Sequence, residues 1–204
     1  MLSLISLCCR TDNAGITRFV RVLQLVPQAY HRFLHFFHSD GICLNRLTTL
    51  WVGLCLRLFR PFAVNERLVF LADGIKVPKE GRKMPAVKSL RQHSGSNTKP
   101  DRIMGHSLQA VSLLVCSFGS QVSAIPLVSR IHEGLIFTKR DRRTLLDKLV
   151  ASFASIVKMT QWPAILVADA YYASQKVIKP LLARGQHLVT RTKEECCGFS
   201  PVRP

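Results

Sequence analysis

Two apolar segments of this sequence end in the same way, and they constrain its fold more than any other feature. Residues 69–73 read Val-Phe-Leu-Ala-Asp, and residues 165–169 read Ile-Leu-Val-Ala-Asp. Short apolar runs of this kind are typical of buried strands. A buried strand ends in a carboxylate at a cost, unless the charge emerges into a cleft. If the two strands are parallel neighbours, Asp73 and Asp169 reach the same edge of one sheet.

The rest of the pattern predicts an α/β domain with a mixed sheet. Apolar runs indicate strands at 67–73, 108–118, 122–128, 163–169 and 187–190. The second and third runs are separated by Gly119-Ser120, which predicts a hairpin. Two helices follow the 3.6-residue periodicity, one capped by Asp141 and the other by Ser174, and Gly185 ends the second. The order strand, hairpin, helix, strand, helix, strand is typical of an α/β domain.

Pro61 marks the predicted boundary between a helical N-terminal region and this domain. Residues 1–62 form the helical region, residues 63–195 form the α/β domain, and residues 196–204 read as an irregular tail. One aromatic helix of the first region carries a basic set that fits either DNA phosphates or a solvated surface, and no metal site is expected there. That set is His31, Arg32, His35 and His38.

The charge balance points to a polyanionic partner. The chain has 29 Lys and Arg against 12 Asp and Glu, a formal charge of +17. Proteins this basic usually bind a polyanion, because neutralising phosphates releases condensed counterions, and DNA, RNA or an anionic membrane would fit. A merely basic or ribosomal protein has a similar composition. No apolar run reaches the roughly 20 residues of a membrane span, so no membrane contact is expected.

A basic segment follows the first aspartate. Residues 76–106 carry eight basic side chains against Glu80 and Asp101, and their prolines and glycine exclude a long helix. We expect a loop here, and a loop of this length usually has a function. The residues expected to hold the DNA backbone are Lys76, Lys79, Arg82, Lys83, Lys88 and Arg91. A flexible, solvated loop is the alternative.

The two aspartates fit a divalent metal site. Carboxylates within about 4–6 Å repel each other, and a cation bound by carboxylate and water oxygens relieves the repulsion. Two Mg²⁺ or Mn²⁺ ions can activate a water or a 3′ hydroxyl and stabilise the leaving oxygen of a phosphodiester. Asp73 and Asp169 also fit a local role, because aspartate often follows a strand to make a turn or cap a helix. The pattern alone leaves both interpretations open.

Longer segments around both aspartates resemble DDE-type insertion-sequence transposases. The residues that carry the resemblance are Asp73-Gly74-Ile75-Lys76-Val77-Pro78-Lys79-Glu80-Gly81-Arg82-Lys83-Met84-Pro85, Lys99-Pro100, Ile103-Met104-Gly105-His106, Gln109-Ala110-Val111 and Val167-Ala168-Asp169-Ala170-Tyr171-Tyr172-Ala173-Ser174. They occur in consistent order over roughly residues 25–193.

The resemblance implies a ribonuclease H-like catalytic fold with Mg²⁺- or Mn²⁺-dependent strand cleavage and joining. It implies that Asp73 and Asp169 are catalytic metal ligands. It also implies double-stranded DNA at transposon ends as the partner, together with a second copy of the chain or a full-length transposase. The seven cysteines form no C-x-x-C pair and are interpreted as reduced thiols of a cytoplasmic protein, and association with the nucleoid is expected.

The sequence departs from this family at the third metal ligand. In the family that ligand is a glutamate on a later helix, beyond an insertion after the strand predicted at 187–190. Glu194 and Glu195 follow that strand too soon to take the role, and the sequence given ends at Pro204. We expect a C-terminally truncated catalytic domain with an incomplete sheet and little transposition by this chain alone. Losing one of several cooperating catalytic groups typically costs orders of magnitude in rate.

Three alternatives to this function also fit parts of the sequence. A non-catalytic DNA-binding remnant could occupy transposon ends or interfere with full-length transposase, and it would hold DNA without a metal. An unrelated metal-dependent phosphatase or nuclease is disfavoured, because an aspartate phosphatase needs a second aspartate where this chain has Ile75. The product of a decaying gene would have no function.

Overall fold

The computed structural model describes residues 16–79, 84–91, 101–117, 121–132 and 143–191, apart from the side chain of Arg18. The chain divides into two compact units, Met1–Leu47 and Thr48–Pro204. This division falls within a helix and lies earlier in the chain than the boundary predicted at Pro61.

The first unit is helical where it is described. Its helices are α1 (Ile16–Val22), α2 (Ala29–His38) and the beginning of α3 (Leu44–Leu58). Phe19 and Val20 of α1 and Phe33 of α2 form a small buried core. The rings of Phe19 and Phe33 meet edge to face, with centroids 5.9 Å apart. A helical region was predicted before the α/β domain, and the described part of this unit is helical.

The second unit contains a mixed sheet, which has eight strands in the described part of the chain. The strands are β1 (Arg60–Pro61), β2 (Ala63–Val64), β3 (Arg67–Pro78), β4 (Lys88–Arg91), β5 (Arg102–Cys116), β6 (Val122–Ile131), β7 (Ala164–Ala168) and β8 (His187–Thr190). The main path is β1-β5-β3-β7-β8, while β2 pairs with β3, and β4 and β6 pair with β5. β5 and β6 form the predicted antiparallel hairpin. β3, β7 and β8 run parallel, which confirms the mixed sheet.

Helices pack on the sheet to form the main core. These are α4 (Leu145–Thr160), α5 (Gln175–Leu182) and the second half of α3. Phe70 of β3 and Phe153 of α4 meet edge to face at 5.6 Å between centroids, and both are almost completely buried. Val52 of α3 and Val177 of α5 belong to the same core. The periodic apolar residues of α4 therefore mark its buried face, whereas Leu182 of α5 is 57% exposed.

Local caps determine where the helices begin. The position predicted for the first cap, Asp141, lies outside the described residues, and α4 begins later, with Thr144 as its cap. The Thr144 hydroxyl accepts from the Asp147 N–H at 3.4 Å, and the Asp147 carboxylate accepts from the Thr144 N–H at 2.7 Å. This reciprocal pair satisfies two amide groups that a helix terminus leaves open. The predicted cap Ser174 is confirmed, since its hydroxyl accepts from the Lys176 N–H at 3.4 Å.

The loop predicted at residues 76–106 is wrong for most of the part that the structure describes. β3 continues through Gly74 and pairs with β5 as far as Pro78↔Gly105, and β4 lies within the same segment. This extension of β3 was not recognised in the sequence because it is largely exposed and therefore lacks the apolar pattern of a buried strand. Its hydrogen bonds come from a distant partner strand. A Cβ on Gly105 would collide with the Val77 carbonyl, so glycine permits this close approach of β3 and β5.

Candidate metal and nucleic-acid site

β3 and β7 bring the two predicted aspartates to the same edge of the sheet. The strands are parallel neighbours, and their last pair in register is Ala72↔Ala168. Asp73 and Asp169 are the next residues along the chain, and both are exposed. Neighbouring strands lie about 4.8 Å apart. The two aspartates therefore lie side by side where the strands leave the core.

Each aspartate uses one carboxylate oxygen in a local hydrogen bond. Oδ1 of Asp73 accepts from the Gly74 N–H at 2.7 Å, and Oδ1 of Asp169 accepts from the Tyr171 N–H at 3.2 Å. The second bond makes Asp169 the cap of a short 3₁₀ helix, Ala170–Tyr172. The local capping role that the sequence allowed is thus present at Asp169, and it leaves the other oxygen of that carboxylate available.

The donor set fits part of the coordination shell of a hard divalent cation. Mg²⁺ is usually bound by one or two carboxylates, with water and substrate phosphates completing the shell. Asp73 and Asp169 are exposed, and neither forms an ion pair in the described part of the chain. Among those residues no group of three or more His, Cys, Asp or Glu side chains could hold a metal. The described chain can thus supply two ligands, and Glu194 and Glu195 lie outside it.

A buried tyrosine beside the carboxylates was not predicted. Tyr172 is 2% exposed, and its hydroxyl lies 3.5 Å from Nε2 of Gln109, which is 6% exposed. Burial raises the pKa of Tyr172, as do the negative charges of Asp169 and Asp73, while the Gln109 hydrogen bond lowers it. The overlooked signal was the alternation of β5, which places polar Gln109 on the same face as buried Val111 and Leu113.

The structure describes four of the six basic residues that were predicted to bind DNA. Lys76 and Arg91 are exposed, and the Lys76 ammonium donates to the Arg91 carbonyl at 2.5 Å. Lys79 is half-buried, and its N–H donates to the Met104 carbonyl at 2.9 Å. Arg82 and Lys83 lie outside the described residues. Lys76 and Arg91 are thus brought together across β3 and β4.

Lys88 has a different environment from the other predicted cations. It is half-buried on β4, and its ammonium lies 2.8 Å from Nδ1 of His132. Burial lowers the pKa of Lys88, and the positive charge of Lys148 lowers it further. Its charge therefore faces a partly enclosed basic cluster rather than open solvent.

None of the helices in the described ranges combines the length and apolar character that a membrane span requires.

Comparison with known proteins identifies the fold. No family model and no curated protein matches the sequence. The structure is similar to that of piggyBac transposase in a synaptic complex with hairpin DNA, with a TM-score of 0.50 and 14% identity. That match covers 100% of this chain and 44% of the transposase chain, so this chain spans less than half its length. The Mos1 strand transfer complex is a weaker match, with a TM-score of 0.29, 10% identity, and 96% and 59% of the two chains covered.

The likeness to piggyBac transposase confirms the predicted resemblance at the level of fold. The sheet and its flanking helices have the ribonuclease H-like architecture that was predicted. The two aspartates stand where the parallel pairing of β3 with β7 ends.

Proposed function

We propose that this chain is part of a DDE-type transposase catalytic domain that binds duplex DNA at transposon ends, where the complete domain cuts and joins DNA strands. The observation that best supports this is the side-by-side emergence of Asp73 and Asp169 from two parallel strands. Bound Mg²⁺ or Mn²⁺ would supply the activation of a water or 3′ hydroxyl that phosphodiester chemistry requires. Asp73 and Asp169 would hold the ion with one free carboxylate oxygen each.

The exposed cations would guide the DNA backbone to this edge. Lys76 lies three residues beyond Asp73 on β3, about 10 Å along the strand. Arg91 is held beside it by the hydrogen bond from Lys76. Positive charge at this distance offsets the repulsion between phosphates and the carboxylates, and it binds all DNA sequences alike. We include Lys79, Arg82, Lys83 and Lys88 in the same proposed contact set.

Catalysis requires more than the described residues supply. We propose that a third carboxylate completes the site, and that the polypeptide 1–204 binds metal and DNA but joins strands poorly without it. We also propose that the protein acts at transposon ends as a homo-oligomer or with a full-length transposase, in the nucleoid of the cytoplasm.

One observation favours a second candidate, a DNA-binding remnant without catalysis. The described residues offer two adjacent carboxylates and no larger group of potential metal ligands. Nicking of supercoiled plasmid in Mn²⁺ separates the two functions. Nicking that Asp73→Ala abolishes would favour the enzyme, whereas tight binding with no nicking at any Mn²⁺ concentration would favour the remnant.

Metal-dependent DNA binding tests the proposal. Fluorescence anisotropy would follow a labelled mixed-sequence duplex with wild type, Asp73→Asn, Asp169→Asn and the control Asp40→Asn at an exposed aspartate, each in chelator and in Mg²⁺. We expect Mg²⁺ to strengthen binding of wild type and the control but not of the two site variants. Comparing each variant with itself removes the trivial gain from deleting a negative charge near DNA.

Two results would contradict the proposal. An equal response to Mg²⁺ in wild type and Asp73→Asn would remove the aspartates from the metal site. Binding that does not weaken as salt rises would remove the phosphate contacts, because counterion release makes such contacts strongly salt-dependent.

A further inference from the structure

Tyr172 connects the two segments that carry the aspartates. Its backbone N–H donates to the Asp169 carbonyl at 3.1 Å, which fixes one end of the residue to the β7 side. Its hydroxyl lies 3.3 Å from the position that a Cβ on Gly74 would occupy, next in sequence to Asp73. The ring between these ends is 2% exposed and belongs to the main core. One rigid side chain therefore spans from the Asp169 turn to the Asp73 strand.

Gln109 orients the hydroxyl of Tyr172. Gln109 is the register partner of Gly74 in the β3–β5 ladder, and its Nε2 donates to the Tyr172 hydroxyl oxygen at 3.5 Å. The hydroxyl is therefore held at the β3–β5 ladder, beside the Gly74 backbone.

We infer that Tyr172 is a positioning residue for the carboxylate pair, with its buried side chain, held at one end by the Asp169 carbonyl and at the other by Gln109 beside Gly74, fixing the separation of the two segments. This inference rests on the proposed function, because it requires Asp73 and Asp169 to share a divalent ion. Two adjacent carboxylates repel each other when no ion is bound. A buried side chain tied to both segments holds them in place and raises the affinity for the ion. Groups that orient metal ligands commonly contribute about 10–100-fold to metal affinity.

The neighbouring tyrosine provides a matched control. Tyr171 is 51% exposed, and its ring contacts Tyr172 edge to face at 5.3 Å between centroids. Tyr171→Phe and Tyr172→Phe delete the same atom from adjacent residues. Only Tyr172 has a hydroxyl that lies against Gln109 and Gly74.

The experiment is a Mn²⁺ titration of the full chain, with the free ion followed by electron paramagnetic resonance and each variant melted in parallel. We expect Tyr172→Phe to weaken Mn²⁺ binding about tenfold, and Tyr171→Phe to bind like wild type. If Tyr172 had a purely structural role, the melting temperature of Tyr172→Phe would fall in proportion to its loss of Mn²⁺ affinity. If Tyr172→Phe does not fold, Gln109→Leu removes the orienting group, and weaker Mn²⁺ binding by that variant gives equal support.

The outcomes separate this inference from the proposed function. Mn²⁺ binding that is lost in Asp73→Asn but unchanged in both Tyr172→Phe and Gln109→Leu overturns the role of Tyr172 alone. Absence of Mn²⁺ binding in wild type, or undiminished binding in Asp73→Asn, overturns the metal site and with it the inference.

Discussion

Asp73 and Asp169 emerge side by side from the sheet, because the residues before them, Ala72 and Ala168, are partners in the parallel register of β3 and β7. A one-residue change of register would move one aspartate to the other face of the sheet. The β3–β7 pairing thus determines whether the two carboxylates can share a ligand.

Neutralising either aspartate should change the thermal stability differently with and without a divalent ion. In chelator we expect Asp73→Asn to melt at the same temperature as wild type or slightly higher, because it removes carboxylate repulsion. In Mg²⁺ we expect wild type to gain stability and the variant to gain none, because only an ion bound to the native state stabilises it. Thermal melts in both conditions measure this, and an equal gain in Mg²⁺ for both proteins would contradict it.

Lys76 and Arg91 should contribute to DNA affinity without sequence preference. Lys76→Gln and Arg91→Gln should each weaken binding to unrelated duplexes alike and reduce the slope of log affinity against log salt by about 1. Lys158→Gln is the matched control, because Lys158 is an exposed lysine in the last turn of α4, at the end of the helix that leads into the start of β7. A loss equal to that of the control would remove both residues from the interface.

Gly74 and Tyr172 should be energetically coupled. Gly74→Ala places a Cβ about 3.3 Å from the Tyr172 hydroxyl, which must then shift. In Tyr172→Phe that oxygen is absent, so the same alanine should cost less. A double-mutant cycle from urea unfolding should give a coupling free energy on the order of 0.5 kcal/mol or more. Additive effects would show that the two residues do not touch.

The capping box of α4 should make stability depend on acidic pH. Hydrogen bonds from Thr144, first from its hydroxyl and then from its backbone, hold the pKa of Asp147 below its usual range. The Asp147 carboxylate therefore stabilises the folded state fully above the pKa that it has in the unfolded chain. This stabilisation is lost as pH falls through the lower pKa of Asp147 in the folded state. Asp147→Asn should destabilise α4 at neutral pH, and its difference from wild type should narrow on acidification.

Urea unfolding across this pH range checks the prediction. Asp40→Asn, at an exposed aspartate of the first unit, is the control and should show no such narrowing. A constant difference between wild type and Asp147→Asn at all pH values would remove the carboxylate from the cap.

Sequence patterns predicted the buried strand segments of the sheet and missed the exposed ones. The runs ending at Asp73 and Asp169 are strands because their side chains are apolar and enclosed, and that enclosure is visible in the sequence. The continuation of β3 to Pro78 and the whole of β4 were mistaken for loop. Their strand conformation comes from pairing with β5, which is distant in the chain and leaves no periodic signal.

The site was predictable as a pair of aspartates but not as a set of contacts. The twin strand endings predicted that Asp73 and Asp169 lie together but left their role open, and the resemblance implied that both are metal ligands. Tyr172 was part of a recognised motif, but its burial depends on packing against Gly74 and Gln109, which come from two other strands. Lys88 was grouped with exposed cations, although the fold half-buries it beside His132.

Iron-mediated backbone cleavage tests the central claim most directly, because Fe²⁺ occupying a magnesium site reduces added hydrogen peroxide, and the hydroxyl radicals formed cut the chain near the bound ion. We predict two cuts in the same sample, one near Asp73 and one near Asp169, both suppressed by excess Mg²⁺ and both absent in Asp73→Asn. Three results would contradict a shared metal site: cuts at only one of these positions, cuts near the α2 histidines His31, His35 and His38, or cuts that persist in Asp73→Asn.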